Sequence, residues 1–131
     1  MKNVPSIITS ANSAEKVIRP YVKGLDHEEV WGIFLTTSKS ILAIEKLSMG
    51  TLTSTAIDCR TVIRKALLIN AACMVLVHNH LSGNPLPSKA DIEFTKKLQA
   101  ACILMDTRLL DHIILAEESF YSFAEERTIT L

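Results

Sequence analysis

The chain has too few cysteines, wrongly spaced, for covalent cross-links to organise it. Cys59, Cys73 and Cys102 are odd in number and form no Cys-x-x-Cys pair. That argues against a disulfide framework and against a cysteine zinc site, so all three are expected to be reduced thiols. Cys73 and Cys102 lie in apolar stretches, where free cysteine packs as a small hydrophobe. An excess of either charge is also missing. Fourteen basic and fourteen acidic residues balance, which removes the general electrostatic reason to expect nucleic-acid binding and leaves only a local patch to supply one. No apolar run approaches the roughly 18 residues that cross a bilayer, and Met1-Lys2-Asn3-Val4-Pro5 does not open a signal peptide. A cytoplasmic protein is expected. Glycine and proline, four of each, punctuate the chain rather than cluster, and no repeat, low-complexity tract or linker interrupts it.

What remains is 131 residues, 48% hydrophobic and 21% charged, enough to bury a core in a single domain spanning residues 1–131. Ser13 is a candidate N-cap for a first helix that carries Val17, Ile18, Tyr21 and Val22 at helical spacing and ends near Gly24. Two β-rich runs, Val30 to Leu35 and Ile41 to Leu47, flank the polar Thr36–Ser40 segment and read as a hairpin. Asp58 can cap a helix reaching about Ala71, with Val62, Ile63, Ala66, Leu67 and Asn70 on one side. Met74 to His78 reads as a buried strand. Ser88 starts a helix with Ile92, Thr95, Leu98 and Ala101 or Cys102 on one side, before strands near Leu109–Ala116 and Phe120–Phe123. This order predicts an α/β fold, a sheet with helices packed on it in at most three layers.

The chemistry concentrates where Val75-Leu76-Val77 runs into His78-Asn79-His80. On a strand both imidazoles share a face and Asn79 points the other way, because side chains alternate with period 2. In a helix the two rings would diverge by about 200°. After the turn-rich Leu81–Pro87 stretch, a helix opening at Ser88 can bring Asp91 back toward the histidines. Two neutral imidazoles and a carboxylate suit zinc and leave a fourth tetrahedral position for water. Each part has a blander reading: Ser88-Lys89-Ala90-Asp91 also resembles a capping box, and a lone His-x-His pair is often incidental. Their combination on adjoining elements favours the metal.

The run from His78 through Asp91, His-x-His followed by seven residues and Ser-x-x-Asp, resembles the signature of the JAB (JAMM) metallopeptidases and is similar to their bacterial RadC branch. The likeness extends from about Asp26 to Phe123, taking in Met49-Gly50-Thr51, Arg60, Ala66-Leu67 and Leu110-Asp111-His112-Ile113. It implies a mixed sheet with packed helices in the JAB/MPN, cytidine-deaminase-like three-layer arrangement. It also implies zinc on His78, His80 and Asp91, a hydrogen bond from Ser88 to the transition state, and an upstream glutamate as general base. Ungapped alignment selects Glu28, while a one-residue slip would select Glu29. The implied reaction is hydrolysis of a peptide or isopeptide amide by metal-activated water, with the Leu81–Pro87 and Met49–Thr55 segments flanking the cleft. Two departures stand out. Leu81 occupies a place usually held by proline, which frees a backbone angle but removes no ligand. The helix-hairpin-helix region common in RadC-type proteins, itself similar to a DNA-binding module, does not fit in the residues ahead of the match, so the likeness is to the catalytic domain.

Against the hydrolase stands a binding module in DNA repair whose metal site is structural or vestigial. The complete set of ligands, serine and acid favours the enzyme, and neither segment beside the cleft has the Lys and Arg cluster that would cradle phosphates. Other zinc hydrolases fit less well: helical His-Glu-x-x-His and the deaminase Pro-Cys-x-x-Cys are both absent. His112, among apolar neighbours, is either a satisfied interior histidine or a partner behind a metal ligand.

Overall fold

The structure, a computed structural model, describes residues 5–50 and 58–131. Its described elements run α1 (Ala11–Val22), β1 (Glu29–Leu35), β2 (Ile41–Met49), α2 (Cys59–Ile69), β3 (Cys73–Asn79), α3 (Lys89–Leu104), β4 (Arg108–Leu115) and β5 (Phe120–Ser122). The strands form one mixed sheet in the order β2-β1-β3-β4-β5, with β3 and β4 parallel and the other neighbours antiparallel. This is the α/β arrangement expected from the sequence. β3 is central and buried at all seven positions, which explains its unbroken apolar run: a strand covered on both faces has no polar side to show.

One face packs on α1 through Ile33, Leu35, Val75, Val77, Ile113 and Leu115. The other carries Val30, Phe34, Met74 and Leu76 against Val62 and Ala66 of α2 and Leu98 and Cys102 of α3. The three layers follow from the helical stripes. Ala11, Ala14, Val17, Ile18 and Val22 bury one side of α1, and Asp91, Thr95, Leu98 and Cys102 bury one side of α3. The stripe of α3 is apolar at its C-terminal end and polar at its N-terminal end, so the surface that anchors the helix also carries a carboxylate and a hydroxyl onto the sheet. Cys59, Cys73 and Cys102 are buried and unpaired. No helix among the described residues is long and apolar enough to cross a membrane.

Two boundaries and one buried position differ from the sequence reading. The first helix starts earlier, because Ser10 is its N-cap and Ser13 is the reciprocating third residue of the box, its Oγ accepting from Ser10 N–H at 3.0 Å. α2 stops at Ile69, where Asn70 turns left-handed at φ 62° and closes the helix with bonds to Ala66 and Leu67 carbonyls. Leu67, expected on the inner side of α2, is half exposed.

Asp111 anchors the far end of the β4–β5 hairpin. Its carboxylate accepts from His112 N–H (2.7 Å), Ala124 N–H (3.0 Å) and Ser122 O–H (2.6 Å). Burial pushes its carboxyl up despite these bonds. Asp111→Ala strands three donors and is expected to cost about 2–3 kcal/mol, read from the denaturant midpoint at unchanged slope. An unmoved midpoint would show that water replaces the carboxylate without loss.

Candidate metal centre

The site forms at the C-terminal end of β3, where the strand gives way to the loop leading into α3. Val30 of β1 pairs with His78, Leu76 with His112 of β4, and His80 extends the ladder by donating its N–H to Leu115 O at 2.7 Å. The two histidines share the α3 side. Asp91, in the first turn of α3, meets both: His78 Nε2 is 3.4 Å from Asp91 Oδ1, and His80 Nε2 is 3.3 Å from Asp91 Oδ2. The two Nε2 atoms lie 3.0 Å apart. His78, His80 and Asp91 thus form a group able to hold a metal ion, the one such cluster among the described residues.

The donor set fits a small divalent ion on two counts. A tetrahedral ion bound at about 2.0–2.1 Å spaces its ligands by about 3.3 Å along each edge, close to all three separations. Second, His80 Nδ1 lies 3.1 Å from Asn84 O, and a carbonyl only accepts, so the ring proton sits on Nδ1 and the Nε2 lone pair faces His78 and Asp91. Burial would push the Asp91 carboxyl up, but the facing His78 and His80 rings and the Ser88 N–H hold it well below the usual carboxylate range. The bond to Asp91 raises the His80 ring against the opposing effect of burial, helped by Asn84 O and the charge of Glu28. The anionic pull that would keep a proton on His80 attracts a metal cation equally.

The capping box and the metal group coexist. Ser88 Oγ accepts from Asp91 N–H at 3.0 Å while Asp91 Oδ2 accepts from Ser88 N–H at 2.8 Å, so the motif that starts α3 also orients the carboxylate. Ser88 is exposed beside it.

The two candidate glutamates part ways. Glu29 is buried, its carboxylate accepting from Trp31 Nε1 at 2.9 Å, meeting His27 Nε2 at 2.6 Å and lying 3.5 Å from Lys46 Nζ. Trp31 in turn packs against Tyr21 of α1, the rings tilted at 54° with centroids 5.1 Å apart. Glu29 is therefore committed to the α1 side. Glu28 stands two residues before Val30, whose partner is His78, and its charge reaches His80. It is half-buried, and its carbonyl accepts from Gly50 N–H at 2.7 Å. Asn79 points away from the histidines, as alternation requires. Its Oδ1 accepts from Glu29 N–H (2.8 Å) and its Nδ2 donates to His27 O (3.0 Å), gripping the backbone on both sides of Glu28. Of the segments expected to flank a cleft, Leu81–Pro87 touches the site through Asn84 O, Met49 and Gly50 adjoin Glu28, and residues 51–55 lie outside the described ones. A cavity of 560 Å³ on the α1 side is lined by Arg19, Lys23, Leu25, Asn79, His80 and Leu115 and so adjoins the site at His80.

His112 is fully buried, its Nε2 2.8 Å from His78 Nδ1 and its Nδ1 2.6 Å from Thr95 Oγ1. Its ring stacks on Phe123 at 4.5 Å and 9°. It is an interior histidine with both ring nitrogens partnered, and one of those partners is His78. Burial pushes this imidazole well below its ordinary value. A β-bulge puts it there. Met74 pairs with Leu109 but Val75 with Asp111, so Leu110 is extra and every later side chain of β4 changes face. The sequence reading gave Thr95 no role beyond a place on the helix face. The signal was present: a hydroxyl four residues after Asp91 in an otherwise apolar stripe.

A mixed α/β sheet carrying His-x-His at a strand end and an aspartate in the following helix defines a JAB-type domain with a metal-binding group. The chain belongs to the RadC-like JAB domain family, whose model matches residues 8–128. That match begins well before Asp26, so α1 is part of the family domain rather than a preceding segment. Among its relatives is a UPF0758 protein of Flavobacterium johnsoniae, 39% identical over 119 residues, which cover 91% of this chain and 52% of that protein. A UPF0758 protein of Porphyromonas gingivalis is 38% identical, over 91% of this chain and 53% of its own. The UPF0758 protein YfjY of Escherichia coli K12 is 38% identical, over 89% of this chain and 73% of its own. The chain spans about half the length of the first two.

Proposed function

We propose that this chain is a zinc-dependent hydrolase that cleaves an amide bond in a peptide or a protein conjugate. The carrying observation is the convergence of His78 Nε2, His80 Nε2 and an Asp91 carboxylate oxygen at mutual separations of 3.0–3.4 Å. Two nitrogens and one oxygen from the protein leave one tetrahedral position for water, the mark of a catalytic rather than a structural site.

The chemistry supplied by zinc held there is Lewis acidity toward a water molecule and a carbonyl oxygen. The remaining work falls to side chains. Glu28, two residues before the strand position that pairs with His78, takes the proton of the attacking water on its carboxylate and returns it to the departing amine. Ser88, whose Oγ already accepts from Asp91 N–H, keeps its own proton to donate to the developing oxyanion. Buried and unpaired, the three cysteines suit a reducing compartment, and we assign the protein to the cytoplasm.

A panel of peptides, isopeptide conjugates and single- and double-stranded DNA tests the reaction class. Zinc-dependent amide cleavage that a chelator stops is expected, with DNA left intact. Cutting of DNA without amide cleavage would overturn the peptidase reading. Zinc bound with no turnover on any member would instead support a binding module associated with DNA repair.

A further inference from the structure

The hydrogen bonds behind the metal centre admit one consistent placement of protons. Thr95 Oγ1 lies 2.6 Å from the Asp91 carbonyl oxygen and 2.6 Å from His112 Nδ1. Two oxygens at that distance repel unless a proton lies between them. The carbonyl has none, so the Thr95 hydroxyl proton is committed to Asp91 O. The short contact to His112 then needs a proton from the ring, which places it on Nδ1. His112 is buried, has no carboxylate partner among the described residues and sits flat on Phe123, so it is neutral and its Nε2 is a lone pair. That lone pair faces His78 Nδ1 at 2.8 Å and must receive a proton from it.

We propose that Thr95 and His112 are positioning residues that fix the tautomer of His78. His78 Nδ1–H donates to His112 Nε2, His112 Nδ1–H donates to Thr95 Oγ1, and Thr95 O–H donates to Asp91 O, leaving the unprotonated Nε2 of His78 aimed at His80 and Asp91. The proposal rests on His78 being a metal ligand. His80 is fixed by a carbonyl, that of Asn84, whereas among the described residues His78 has no backbone acceptor and depends on this chain of two side chains. The chain starts on the backbone of Asp91 itself, so one ligand orders another. Imidazole ligands are commonly oriented by such outer partners, whose loss weakens metal binding about 10–100-fold.

Thr95 separates this role from packing. Thr95→Val keeps shape and branching but removes the hydroxyl; Thr95→Ser does the reverse. Zinc affinity, measured by competition with a chromogenic chelator, is expected to fall at least about tenfold in Thr95→Val. It should stay near the unaltered protein's value in Thr95→Ser. The melting temperature of the metal-free protein should fall in both variants, in valine because the buried His112 ring N–H loses its acceptor and in serine because a buried methyl is lost. A structural role predicts the opposite ranking of zinc affinity, with valine harmless and serine weak, and that ranking would overturn the proposal. Long-range proton–nitrogen NMR of the metal-free, 15N-labelled protein reads the tautomers directly. His78 and His112 should both carry their proton on Nδ1, and finding either on Nε2 would overturn the proposal even if a variant failed to fold. Should the unaltered protein bind no zinc, the metal reading fails, while the tautomer measurement still decides this one.

Discussion

Protein purified without chelator is expected to carry about one zinc ion per chain, and alanine at His78, His80 or Asp91 is each expected to empty the site. His78 is fully buried and His80 mostly so, so neither ring can swing away and be replaced by a neighbour. No other metal-binding cluster exists among the described residues. Removing one of three protein ligands should cost far more than the roughly 10–100-fold that outer partners control. The histidine variants are the cleaner pair. Asp91→Ala also opens the capping box with Ser88, which adds about 1 kcal/mol of helix destabilisation. Metal analysis after dialysis gives the stoichiometry, and a melting curve with and without added zinc separates a lost ligand from a lost fold. Full zinc content in all three variants would sink the site.

Much of this site could be read in advance because its geometry is local. His78 and His80 needed only the period of a strand, and Ser88 and Asp91 only the first turn of a helix. The capping-box and ligand readings competed on paper. In space they cooperate, because a carboxylate with two oxygens can take Ser88 N–H and still face two imidazoles. Ser13 was mistaken for a cap for a related reason: it belongs to the Ser10 box, and sequence alone does not say which serine of a reciprocal pair lies outside the helix.

The parts that were not legible depend on pairing between distant segments. His112 reaches His78 only because a bulge at Leu110 shifts β4 by one residue, and in a run of apolar residues nothing marks where that extra residue falls. Strict alternation from Leu109 would have put His112 on the α1 face, away from the metal group. The grip of Asn79 on His27 O and Glu29 N joins residues about fifty positions apart. No periodicity carries such information.

That grip bears on the choice between adjacent glutamates, and exchanging each for glutamine should give opposite results. Glu28→Gln is expected to keep zinc and fold while turnover drops by about 10²–10⁴-fold, because an amide has the shape of the base but cannot take a proton from water near neutral pH. Glu29→Gln should leave turnover largely in place and lower stability instead. Its carboxylate is buried among Trp31 Nε1, His27 and Lys46, and an amide can accept from one of these donors only by turning its own N–H groups on the others, a loss of about 1–3 kcal/mol. The acid limb of stability adds a signature. Burial alone would raise the Glu29 carboxyl, but the bonds from His27 and Trp31 and the charge of Lys46 bring it below its ordinary value. A depressed carboxyl stabilises the fold above its unfolded-state pKa, and that contribution disappears as pH falls through the folded one. Glu29→Gln should therefore flatten the acid side of the stability profile. Denaturant midpoints across the acid range, set beside turnover and zinc content at neutral pH, distinguish the two. The reverse assignment, with Glu29→Gln inactive and Glu28→Gln merely destabilised, would show the base one residue further along the chain, and full turnover in both variants would move it elsewhere.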